Sequence, residues 1–524
     1  MTTLDTLTYT SLDEIPRICE QLNKEFKEGT TLPIPHRKKQ LRSVAYMFQD
    51  NQELFCEALA KDQERPAFET VVHEIHFVIK EIHTALTNLD KWTAGKKVKT
   101  EFPWNFANPK VHREPKGRVL IIGAWNYPIS LLVGPLIGAI AAGCTVALKP
   151  SENSPHTAAL LGKLLFRYLY DPQTVKVING AVDETTALLN VEGGWDHITY
   201  TGSTNVGRII ASSAAKNLTP TTLELGGKSP TIICEDADLK LAAHRIFLTR
   251  IINSGQMCIA PDYLICPASI QPALIKEFKE FLIKAYPEPW LGDEAAGKAS
   301  RMVNERQYER VKGIIAATKG EILIGGGSSD DKLKIEPTVV RANSDDSVMA
   351  DEIFGPVLGL ITKDTLDEAI NFINSRPHPL AIYVYTKDAE KVDYVRTHTR
   401  SGAIVGNASA VHFSVPGLPF GGIGESGMGN WHGEYSFNAF SYERSTLNVP
   451  SWFQFIVGKI TPPYNEKNLK FLSSTIPKIT RKTGEPSLLS KIAGKFWLIT
   501  LVAAIAVASK RREQIMTLAR SITN

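Results

Sequence analysis

The feature that most restricts this chain is the alternation of short apolar runs with helix-patterned runs across residues 118–217. "RVLIIGAW" and "CTVALKP" read as β-type segments, and "LLVGPLIGAIAAG" between them is helix-like. The order continues with helix ("HTAALLGKLLFRYLY"), strand ("VKVING"), helix ("DETTALLN"), strand ("DHITYTG") and helix ("VGRIIASSAAKN"). Connections are short and marked by Gly or Pro. Such alternation predicts an α/β fold with a doubly wound parallel sheet, in which ligands sit at the carboxyl ends of strands. A second alternating region, 222–410, opens with "TLELGG" and "SPTIIC" and ends near "HPLAIYVYT" and "GAIVGN", so a second α/β domain is expected. Residues 12–105 read as helices, with Leu41, Val44, Ala45 and Phe48, then Leu54, Ala58 and Leu59, at helical spacing.

Charge excludes one class of partner. The 59 basic and 55 acidic side chains nearly balance, so no basic excess points to nucleic acid. The six cysteines form no CxxC pair or tight cluster, which favours a reducing compartment over a disulfide scaffold. His73 and His76 are three apart, lack the i,i+4 spacing of a zinc helix, and read as ordinary helix residues, so no metal is expected. The N-terminal "MTTLDTLTYTSLDEIP" carries early acids and no basic-then-apolar run, unlike a secretory signal or presequence. The stretch 496–509, "FWLITLVAAIAVAS", is uncharged and mostly apolar, with Lys491 and Lys495 before it and Lys510, Arg511 and Arg512 after it. Snorkelling by Lys495 lengthens the usable span to 492–509, so a membrane anchor is expected, against the alternative of a docking helix.

Three residues carry candidate chemistry. Cys258 in "NSGQMCIAPDY" is either a small buried residue or a nucleophile. Glu224 in "TLELGGKSP" sits at an expected strand end before two glycines and is either a surface charge or a base. Asn126 in "GAWNYP" is either a turn residue before Pro128 or a neutral donor to a developing oxyanion. "YTGSTNVG" follows a strand and opens a helix, so Gly202, Ser203 and Gly207 are placed to face a pyrophosphate. The literal G-x-G-x-x-G formed by Gly422, Gly424 and Gly427 follows no strand and reads as a loop.

Taken with "LKPSE", "EIFGPVL" and "LPFGGIGESGMGNWHGEYSFNAFSYERS", these stretches resemble the aldehyde dehydrogenase superfamily, in the family's order over roughly residues 30–450. The "GQMCIAPDY" form is similar to the fatty aldehyde dehydrogenase class, and the apolar tail to its membrane-anchored fungal members. The resemblance implies Cys258 as nucleophile, Glu224 as general base, and Asn126 with the backbone N–H of Cys258 as oxyanion hole. It implies Trp125, Lys149, Glu152, the turn Gly202, Ser203, Thr204, Asn205, Val206 and Gly207, and Glu352 with Phe354 as the binding site for NAD, with NADP possible. Lys149 and Glu152 would lie by the adenosine ribose, and Glu352 by the nicotinamide ribose. Tyr127 and Met257 depart from the commoner residues at their positions.

The implied organisation is a helical part of the cofactor domain at 1–105, a dinucleotide-binding domain at 106–221 and a catalytic domain at 222–412. A return and oligomerisation segment at 413–450, a linker at 451–490 and a membrane-anchoring tail at 491–524 complete it. The implied activity is oxidation of long-chain aldehydes through a cysteine thioester, by a homodimer whose catalytic part faces the cytosol. The mitochondrial outer membrane is the favoured location, with endoplasmic reticulum or lipid droplet as alternatives. Two other readings are oxidation of aromatic aldehydes such as 4-hydroxybenzaldehyde and an inactive tail-anchored scaffold.

Overall fold

A computed structural model describes residues 6–101, 104–293, 297–415, 417–477 and 479. The chain divides into two units, Met1–Leu447 and Asn448–Asn524. In the first unit the expected alternation becomes a six-stranded sheet. Its order is Gly427–Met428, Thr221–Leu225, His197–Gly202, Arg118–Ile122, Thr145–Lys149 and Val175–Val177. All pairs are parallel except that of Gly427–Met428 with Thr221–Leu225. The chain winds from Arg118–Ile122 outward to one side, then returns to wind out on the other. The crevice between Arg118–Ile122 and His197–Gly202 is therefore the topological switch point where this architecture binds ligands.

The boundary expected at 221/222 does not divide the sheets. Thr221–Leu225 joins the first sheet in register with Ile198–Gly202, because the helix Thr204–Ala215 returns the chain beside the strand it left. The second sheet has the order Glu321–Ile324, Thr338–Arg341, Val357–Thr362, Tyr263–Cys266, Pro230–Ile233, Ala381–Tyr385 and Ala403–Gly406. Only its first pair is antiparallel.

The helix Ser130–Ala142 explains why the first sheet is buried. All thirteen of its residues are buried, as expected of a helix apolar all round. It ends at Gly143, whose φ of 95° suits glycine and lets its N–H cap Ala139 and Ile140 carbonyls. Around it pack Ile34–Asp50 and the continuous helical stretch Ala67–Thr93, which contains a π-helical turn at Val71–Ile75, while Gln52–Gln63 packs on the helix Pro155–Tyr168. Leu41, Val44, Phe48, Ala58 and Leu59 are fully buried, while Ala45 and Leu54 pack partly buried at its margin.

The second unit contains the short helix Gln454–Val457 and the helix Glu466–Thr475, whose N-cap Asn465 accepts from the Asn468 N–H at 2.8 Å. The apolar run 496–509 lies outside the described residues. Among the described residues no helix is long and apolar enough to cross a membrane.

Candidate active site

Successive loops at the carboxyl ends of first-sheet strands carry the expected cofactor residues. Arg118–Ile122 leads to Trp125 and Asn126, Thr145–Lys149 to Lys149 and Glu152, and His197–Gly202 to the turn and helix that follow. Ser203 caps the helix Thr204–Ala215, accepting from the Val206 N–H at 3.5 Å. Gly207 lies where a Cβ would come within 2.5 Å of Leu225 Cδ2, so the helix packs close against the last parallel strand. The N-terminus of this twelve-residue helix at the switch point suits an anionic diphosphate. One strand away, Lys149 Nζ pairs with Glu152 Oε2 at 2.9 Å. Glu152 lines a cavity of about 660 Å³ with Thr6–Tyr9, Pro155 and His156. The Glu152 carboxylate, which faces the cavity and is held by the buried Lys149, can accept from the hydroxyls of an adenosine ribose.

The cysteine sits between the helix Leu239–Ile251 and the strand Tyr263–Cys266. Just before it, Asn253 and Ser254 both hold positive φ, 51° and 52°. Two successive left-handed residues cost conformational energy and persist only where neighbours over-determine them. Here they do. The Asn253 N–H donates to Glu69 Oε2 at 3.0 Å, and its side-chain amide donates to the carbonyls of Asn126 (2.9 Å) and Gln256 (3.1 Å). Gln256 in turn donates to the carbonyls of Asn253 (3.0 Å) and Arg301 (3.1 Å) and accepts from the Val303 N–H (2.9 Å). The cysteine loop is thereby fastened to the loop bearing Asn126, whose own Nδ2 donates to Gln256 O at 3.1 Å.

Glu224 and Glu352 are close enough to act electrostatically on Cys258. Burial pushes the Cys258 thiol well up, and the charges of Glu352 and Glu224 push it further; the backbone N–H groups of Cys258 and Ile259 favour the thiolate. Glu224 lies on the strand Thr221–Leu225, 2% exposed, opposite Gly427. Neither of its carboxylate oxygens has a hydrogen-bond partner among the described residues, and burial raises its pKa well above the ordinary value. A buried carboxylate held without a partner is a candidate for chemistry. Glu352 is pushed up to about 8, first by burial and then by Asp262, against a backbone hydrogen bond from Gly227 and the cations Arg250 and Lys228. A Cβ on Gly226 would come within 2.0 Å of Glu352 Oε2, so this carboxylate approaches the chain two residues beyond Glu224. Phe354 meets Trp125 edge to face, with ring centroids 5.3 Å apart.

Several site residues escaped the sequence reading. Asp262, in "APDY", accepts from Arg250 Nη2 (3.0 Å) and the Ile353 N–H (3.2 Å) and pairs with Lys228, tying the cysteine loop to the Glu352 segment. Tyr383 donates its hydroxyl to Ile259 O at 2.5 Å. The two unusual residues touch each other: the Tyr127 hydroxyl lies 3.8 Å from Met257 Sδ. In the "GIGESG" loop, Gly427 pairs beside Glu224, and Glu425 O accepts from Thr204 Oγ1 at 3.2 Å. Those glycines shape a turn against the Glu224 strand.

The sequence profile of the "Aldehyde dehydrogenase family" matches residues 2–446. The chain is 39% identical over 462 residues to "Aldehyde dehydrogenase family 3 member B1" of Mus musculus, covering 88% of this chain and 97% of that protein. The solved structure "Substrate bound state of Staphylococcus Aureus AldH" superposes with a TM-score of 0.83 at 35% identity, covering 88% of this chain and 99% of that one. A Mycobacterium tuberculosis aldehyde dehydrogenase complexed with NAD+ superposes with a TM-score of 0.77 at 29% identity, covering 85% and 92%.

Proposed function

The chain belongs to the aldehyde dehydrogenase family, and from that premise we propose that it oxidises long-chain aliphatic aldehydes to carboxylic acids with NAD+ and water. The observation that carries the chemistry is the meeting of a thiol, an unpartnered buried carboxylate and a held amide at the Cys258 loop. Cys258, as thiolate, adds to the aldehyde carbon. Asn126 Nδ2 and the Cys258 backbone N–H receive the oxyanion, which lowers the barrier to addition and to hydride loss. NAD+, when bound, accepts the hydride. The remaining thioester is cleaved by water whose proton Glu224 takes, releasing the acid and freeing the thiol. Lys149, Glu152 and the Gly202–Gly207 turn hold the adenosine and diphosphate, and Glu352 the nicotinamide ribose. The Glu152 carboxylate disfavours a 2′-phosphate, so NAD+ is preferred over NADP+.

The substrate reading rests on the apolar run 496–509 and its basic flanks. An anchored enzyme works where long-chain aldehydes partition, since each buried methylene contributes about 0.8 kcal/mol. The protein acts as a membrane-anchored homodimer with its catalytic unit in the cytosol, at the mitochondrial outer membrane. The test is NADH formation by the full chain in detergent micelles with hexanal, hexadecanal and 4-hydroxybenzaldehyde. The proposal expects kcat/KM to climb with alkyl length. A preference for the aromatic aldehyde would overturn the substrate class, and no NADH with any aldehyde would overturn the activity.

A further inference from the structure

We infer that Gln63 and Arg65, at the end of the helix Gln52–Gln63, form a clamp that positions the oxyanion amide of Asn126. The helix ends at Glu64, whose left-handed φ of 53° turns the chain so that its neighbours on both sides point inward. Gln63 Nε2 donates to Trp125 O at 2.7 Å, a carbonyl that Ser154 Oγ also reaches at 2.9 Å. Arg65 Nη2 donates to Asn126 O and, at 2.6 Å, to Gln63 Oε1. Arg65 Nη1 pairs with Glu74 Oε1 at 2.9 Å, while Glu74 Oε2 accepts from the Ser130 N–H at 2.6 Å. The guanidinium also lies over the Tyr127 ring, 4.8 Å from its centroid. Two successive carbonyls of the oxyanion loop are thus held from one side by one short segment.

Burying a guanidinium is costly in desolvation, which only good geometry offsets. Arg65 is 1% exposed, and Nη2 donates to the main chain of the residue whose side chain must face the reacting carbonyl, while Gln63 and Glu74 hold the guanidinium in place. Asp62, in the same segment, accepts from the His156 N–H (3.0 Å) and the Thr157 N–H (2.9 Å) and Oγ1 (2.7 Å), holding the helix that follows Glu152. One stretch, "DQER", therefore sets the oxyanion loop and the cofactor-side helix in register. Arg65 touches no reacting atom, so it is a positioning residue. The inference rests on aldehyde oxidation by this site and not on chain-length preference.

The test compares wild type with Gln63→Met, Arg65→Lys and the pair Arg65→Met with Glu74→Gln, which leaves no lone buried carboxylate. Steady-state rates are measured with hexanal and with hexanal deuterated at its aldehyde carbon at saturating NAD+, and with hexanal at varied NAD+. The clamp predicts that the double variant loses about 10- to 100-fold in kcat, because small misplacements cost that much. The isotope effect on kcat should rise as hydride loss becomes limiting, and KM for NAD+ should stay within about twofold. Arg65→Lys should restore most of the rate, and Gln63→Met should show the same pattern more weakly. If the double variant does not fold, Gln63→Met decides the matter. Wild-type rate in the variants, or loss matched by fewer titratable active sites with an unchanged isotope effect, would overturn the clamp. Absence of wild-type turnover would instead count against the proposed function.

Discussion

Replacing Glu224 by Gln should make the protein more stable and less active at once. The carboxylate is 2% exposed, has no protein partner for either oxygen, and its pKa is raised by burial. A raised carboxyl pKa means the fold holds a proton that the unfolded chain releases. Its contribution to stability is full below the unfolded value of about 4.5 and is lost as pH rises toward the folded value. Within that window each pH unit costs about 1.4 kcal/mol. As pH rises from 5 toward the raised folded value, the wild type should lose stability that the neutral glutamine does not. For a unit spanning Met1–Leu447, the unfolding entropy is about 0.9 kcal/mol/K, so each kcal/mol of that loss should widen the variant's advantage in Tm by about 1 °C as pH rises. Scanning fluorimetry across that range reads this directly. Rapid-mixing measurement of NADH should show one burst per active site in the variant, followed by a steady state slowed about 10²- to 10⁴-fold. A Tm difference that does not change with pH, or steady turnover at the wild-type rate, would refute the assignment of Glu224 as a buried, water-activating base.

Asn126→Ala should lower kcat/KM by about 10²- to 10³-fold, the usual effect of losing one oxyanion donor, while iodoacetamide still labels Cys258. Gly207→Ala places a methyl 2.5 Å from Leu225 Cδ2 and should raise KM for NAD+ about tenfold with little change in KM for hexanal, as initial-rate kinetics will show. Deleting residues 486–524 should abolish co-sedimentation with phospholipid vesicles; retained sedimentation would remove the tail as the anchor.

Much of the fold was legible because apolar periodicity is a local signal. The alternation over 118–217 became the first sheet, and Leu41, Val44 and Phe48 became core. The strand Thr221–Leu225 was legible as a strand but not as a member of that sheet, since pairing with Ile198–Gly202 is a tertiary fact. The candidate site was legible where its residues lie in recognisable stretches: Asn126, Gly202 and Glu224 at or just beyond strand ends, and Cys258 in the loop before a strand. The supports were not. Arg65, Asp262 and Gln256 act through hydrogen bonds to main-chain groups remote in sequence, which leave no spacing pattern. The left-handed pair Asn253–Ser254 offered one faint signal, an asparagine before Ser-Gly, because Asn tolerates that conformation better than most residues.

The central claim is that Cys258 carries the acyl group between hydride loss and hydrolysis. The most direct test is peptide mapping by mass spectrometry of the Glu224→Gln protein after a brief reaction with NAD+ and hexadecanal. The account predicts a hexadecanoyl mass on the peptide containing Cys258, and none when NAD+ is withheld. NADH produced with that peptide unmodified, or with the acyl group on another cysteine, would contradict it.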